Sequence, residues 1–123
     1  MLTSRGLNTC YGDSHILRGV DIDIAASTSV GLLGRNGMGK TTLIRTLMGY
    51  VRPMSGQVSL DGSDVTGWPP ERMARRGIGY VPEGRGIVPN LSVRVNLLVR
   101  ARAGIDGSRA WSVARGLAAC PTL

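Results

Sequence analysis

Phenylalanine is absent from this sequence of 123 residues, histidine and lysine occur once each, and cysteine only twice. Three tyrosines and two tryptophans complete the aromatic set. That leaves little from which to build the base-stacking platform of a single-strand nucleic-acid binder. No apolar run approaches the roughly 20 residues of a membrane-spanning helix, so a transmembrane subunit is not expected. The opening MLTSRGLNTC lacks the apolar stretch of a secretory signal. With no export signal, Cys10 and Cys120 are expected as free thiols rather than as a disulfide framework.

What is present is globular in composition, 42% hydrophobic and 19% charged. Glycine, at 18 residues, is roughly twice its usual share, which directs attention to loops whose backbone does chemistry. Charge is unevenly spread. Residues 1–71 carry six basic and six acidic side chains, whereas residues 72–123 carry nine arginines against Glu83 and Asp106, the whole of the net +7. Such a cluster suits nucleic acid, phospholipid or an acidic protein surface, or is simply a solvated, arginine-rich helix face.

Val20, Ile22 and Ile24 alternate with Asp21 and Asp23, the period of a half-buried strand. Residues 14–18 and the opening residues are expected as its antiparallel neighbours, turning at Tyr11-Gly12-Asp13. The run SVGLL, 29–33, is apolar enough for a strand buried on both faces. A helix over 41–48 presents Leu43, Ile44, Leu47 and Met48 on one face. Further strands are expected at 57–61 and 78–81, with a short helix from Pro70 or Glu71 to Arg76. Ser92 is placed to cap a helix running to about Arg102. The last helix is expected over 108–120, with Trp111, Ala114, Leu117 and Ala118 on its apolar face.

Between the apolar run and the first helix lies Gly34-Arg35-Asn36-Gly37-Met38-Gly39-Lys40-Thr41, a match to GxxxxGK[ST] at every fixed position. From this composition, one chance match has a probability of about three in a thousand. Glycines let backbone N–H groups approach phosphate oxygens, and the following helix points its positive end at the same anion. Lys40 would reach the terminal phosphates of a nucleoside triphosphate, and the Thr41 hydroxyl would hold Mg²⁺. Hydrolysis also needs a carboxylate near the metal and the attacking water. Asp61 leads into a hairpin-type turn. Glu83, just past the strand expected at 78–81, is better placed, although a solvated loop acid near Arg85 is the plainer alternative.

GRNGMGKTTL followed by GIGYVPEGRGIVPNLSVRVNLLV resembles the ATP-binding subunits of ABC transporters, and within them an ATPase subunit of branched-chain amino-acid importers. The resemblance runs from about residue 7 to the final residue. It implies a P-loop α/β fold of the ABC ATPase type: an antiparallel β subdomain, an incomplete parallel sheet with helices, and the beginning of a helical subdomain at about 92–123. It implies ATP held by Gly34, Arg35, Asn36, Gly37, Met38, Gly39, Lys40, Thr41 and Thr42, with Tyr11 stacked on adenine and Mg²⁺ near Thr41 and Glu83. Glu83 stands where most such ATPases have a metal-sensing Gln. Residues 85–98 would face a coupling helix of the permease. The implied partners are a second ATPase subunit and transmembrane permease subunits, at the inner face of the cell membrane, with nucleic acid not expected. Val95 departs from the pattern, which has Glu there. The LSGGQ-like signature, the strand ending in Asp-Glu and the switch His have no counterpart, and His15 lies too early to be that switch. The sequence is therefore expected to be an N-terminal part of one nucleotide-binding domain. It would bind ATP without hydrolysing it alone, the alternatives being a non-catalytic nucleotide-binding fragment, a non-functional remnant, or an arginine-rich P-loop protein that binds nucleic acid.

Overall fold

Two long strands open the chain in the computed structural model, which describes residues 1–37, 39–84, 86–101, 107 and 111–120. Strand β1 (Leu2–Tyr11) pairs antiparallel with β2 (Ser14–Ile24) across Tyr11↔Ser14. Residues 14–18 are thus the first half of the same strand as 20–24, not a separate neighbour. What disguised the continuity is a change of face. Ser4 is buried before Gly6, and Leu7 and Thr9 after it; Leu17 is buried before Gly19, and Val20, Ile22 and Ile24 are half-buried after it. Each face change coincides with a register shift in the ladder, since one unpaired residue transfers every later side chain to the other face. Asn8 ties the irregularity together. Its amide donates to the Gly6 carbonyl and to Ser55 Oγ, and its oxygen accepts from the Gly19 N–H.

Strand β3 (Ser55–Leu60) pairs with the other edge of β1, and the short β4 (Ser63–Asp64) follows through Asp61-Gly62, giving the order β2-β1-β3-β4. Both turn residues have positive φ, 48° and 78°, the backbone of the tight hairpin turn that Asp-Gly favours. Helix α1 (Lys40–Leu47) places Leu43 and Leu47 in a core with Leu7, Leu17, Val58, Leu60, Val65 and Met73. Ile44, expected on that face, is 40% exposed; the buried place goes to Thr46, whose hydroxyl meets that of Thr9 at 3.2 Å. Helix α2 (Pro70–Arg75) starts on Pro70 and contributes Met73. These elements form one unit, Met1–Ile78.

The second unit, Gly79–Leu123, carries α3 (Val93–Arg100) and α4 (Val113–Ala119). Ser92 caps α3, accepting from the Val95 N–H at 3.3 Å. The Asn96 side chain bonds the Val88 N–H and the Leu91 carbonyl, and Arg100 donates to the Gly86 carbonyl. The α4 cap is Ser112, so Trp111 lies ahead of the helix and is exposed, and Ala114 and Ala118 are exposed too. Neither helix buries a residue. Arg102 and residues 108–110 lie outside the described residues.

Two expected strands are absent. Residues 29–33 and 78–81 form no ladder; Leu33 is 93% and Val81 92% exposed. A strand exists through pairing, and all pairings among the described residues are antiparallel ones within β1–β4. Apolar composition alone does not supply the partner.

Candidate functional site

The glycine loop leads directly into α1, whose N-cap is Gly39 at φ 90°. No side chain caps this end, and its first turn has no acid. Its leading N–H groups therefore keep their positive field for an external acceptor. Lys40 folds back over the loop, its Nζ donating to the carbonyls of Gly34 at 2.5 Å and Arg35 at 2.6 Å. The same ammonium gathers the loop and marks its cationic centre. Thr41 is exposed and Thr42 half-buried, with the Thr42 carbonyl accepting from Thr46 Oγ1 at 2.8 Å. Arg35, Asn36 and Gly37 are exposed, and Met38 lies outside the described residues.

The floor beneath Gly39 is strand β2. A β-carbon there would stand 3.1 Å from Leu17 Cδ2 and 3.3 Å from Ile16 Cγ2. Consecutive side chains of a regular strand point to opposite faces, so both reach Gly39 only because the ladder is irregular here. Thr9 pairs with Leu17 and Cys10 with His15, which leaves Ile16 as an extra residue. Sequence reading missed this support. The one available signal was the apolar pair Ile16-Leu17 interrupting the alternation.

Tyr11 ends β1 and flanks the turn rather than lying in it; it is 44% exposed. It sits two residues beyond Thr9, whose partner Leu17 touches Gly39, about 7 Å along the strand at ~3.4 Å per residue. Glu83 is exposed and belongs to the second unit. Two of the other acids are occupied: Asp61 by the N-terminal ammonium at 2.5 Å, and Asp64 by the Thr66 N–H at 2.8 Å. Both carboxyls are held below the usual range, Asp61 by its hydrogen bond from that ammonium and Asp64 by its bonds with Thr66. The donor set around Lys40 — ammonium, hydroxyls and an uncapped helix end — suits a polyanion with several oxygens.

A family model described as ABC transporter matches residues 17–120. A probable branched-chain amino-acid transport ATP-binding protein, LivF of Archaeoglobus fulgidus, is 39% identical over 101 residues, 82% of this chain and 43% of that one. The lipopolysaccharide export ATP-binding protein LptB of Haemophilus influenzae is 37% identical over 98 residues, 80% of this chain and 41% of that one. Among solved structures, an ATP-binding cassette of an ABC transporter superposes with a TM-score of 0.74 at 26% identity, covering 80% of this chain and 39% of that one. The chain thus spans about two fifths of the length of these relatives.

Proposed function

The chain belongs to the ABC transporter family and has the P-loop fold of its ATPases; from that premise we propose that residues 34–42 hold the phosphates of ATP in the energising subunit of a branched-chain amino-acid importer. The observation that carries this reading is the Lys40 ammonium gathered over the glycine loop at the uncapped start of α1. In binding, Lys40 would exchange its carbonyl acceptors for phosphate oxygens, a charge-assisted hydrogen bond replacing neutral ones. The leading N–H groups of α1 would orient the anion. Tyr11 would lie against the base, and Thr41 with Glu83 would hold Mg²⁺, which supplies charge neutralisation at the phosphates when bound.

The partners of the whole protein would be a second ATPase subunit and a membrane permease, with this chain at the membrane's inner face. No helix among the described residues is long and apolar enough to cross a membrane. The likeness to LptB favours a second reading, an exporter ATPase with the same nucleotide chemistry. Co-purification with a branched-chain amino-acid permease separates the two; capture by a lipopolysaccharide-export permease instead selects the second. Nucleotide binding itself is tested by calorimetry with Mg-ATP. The unaltered chain is expected to bind and Lys40→Ala to lose binding, since no other lysine can substitute. Equal affinity in both would overturn the reading.

A further inference from the structure

In the first unit, arginines gather around a single indole. The Arg72 guanidinium lies 3.5 Å from the centroid of the Trp68 ring and that of Arg76 lies 5.7 Å from it. Arg52 runs beside Gly67, its Nε 3.6 Å from where a β-carbon on that glycine would stand, and Arg75 shares α2. All four arginines are exposed, whereas Trp68 is half-buried and packs against the core. The two ion pairs among the described residues, Met1–Asp61 and Arg5–Asp23, involve none of the four. Glu71 is the acid in the first turn of the same helix.

We propose that this arginine–tryptophan platform docks the chain onto an anionic phospholipid surface. Guanidinium forks match phosphate oxygens, indoles favour the headgroup region, and clustered basic residues are drawn to anionic leaflets. RNA fits less well. Its bases are splayed onto several aromatic side chains, and the one ring that these arginines gather around is Trp68. The proposal rests on the transporter reading in one respect only, that such a subunit works beside a membrane. It adds a direct lipid contact to the contact made through a permease.

The test is co-sedimentation of the full chain, without nucleotide, with vesicles of phosphatidylcholine alone and of phosphatidylcholine mixed equally with phosphatidylglycerol. Binding is expected to the anionic vesicles only. It should weaken roughly thirtyfold in Arg72→Gln/Arg76→Gln, and far less in the charge-matched pair Arg18→Gln/Arg94→Gln, also exposed but on β2 and α3. In a Trp111→Tyr background Trp68 is the one remaining tryptophan, and its emission should shift to the blue on anionic vesicles. Equal losses in the two pairs, an unshifted Trp68, or tighter patch-dependent binding to RNA would each overturn the proposal. Because nucleotide is left out, this outcome is independent of the Lys40→Ala calorimetry, and either reading can fail alone.

Discussion

At the scale of single residues, Gly39 does two things at once. It turns the chain into α1 at a φ that side chains rarely adopt, and it lets the loop settle on Ile16 and Leu17. Gly39→Ala is therefore expected to cost about 1–3 kcal/mol of stability and to weaken Mg-ATP binding at least tenfold, read by denaturant titration and calorimetry. Asp64 makes a different prediction. Its folded value lies below the ordinary 3.8, so its contribution is present above that pH and is lost as pH falls through the lower folded value. Asp64→Asn should lower neutral stability slightly and flatten the acid limb of stability against pH below about 4 by the same small amount, because the group is exposed. The loop and the helix after it were legible because glycines ahead of an apolar-faced segment mark a turn into a helix. Ile16 was not, since its importance comes from a missing ladder partner, which only the paired strand reveals.

Elements were legible where local signals and burial agree. The hairpin, α1, α2 and the Ser92 cap all follow from alternation, Pro70 at a helix start, or a hydroxyl before a helix. They fail where a partner elsewhere decides the outcome. The segments 29–33 and 78–81 have the composition of buried strands and, among the described residues, no strand pairs with them, so Leu33 and Val81 face solvent. Exposed apolar backbone of this kind invites edge-to-edge association. Leu33→Lys should accordingly raise solubility without lowering stability, measured by light scattering and chemical denaturation. By contrast Leu43→Ala, in the core of the first unit, should cost about 2–5 kcal/mol, visible in a denaturant midpoint.

For the whole molecule, the carboxylates set the limit on chemistry. Asp61 and Asp64 are engaged by the N-terminus and by Thr66, and Glu71 opens α2; the function proposed above assigns Glu83 to the metal. One carboxylate that helps hold a metal cannot also be the base for water, and a missing general base costs about 10²–10⁴ in rate. The 123-residue chain is thus expected to bind ATP without turnover near one per second, with phosphate release no higher than in Lys40→Ala. Lys40-dependent turnover at about that rate would instead identify Glu83 as the catalytic carboxylate. The net charge of +7 should give weak nucleic-acid binding that disappears at about 0.2 M salt. A complex that persists there would restore the nucleic-acid reading.

The hairpin is one residue longer than its own pairing requires. Remove Ile16, and His15 moves into its place: Cys10 still faces His15, Thr9 still faces Leu17, and the ladder becomes regular from Thr9 to the turn. The sheet would hardly notice, but Gly39 would lose half of what it rests on. Strand and loop can therefore be uncoupled by subtraction. A chain shortened at that single position should keep its circular dichroism while its grip on nucleotide slackens, and a further residue added beside Ile16 should not restore the grip unless it again leaves an apolar side chain unpaired beneath the loop.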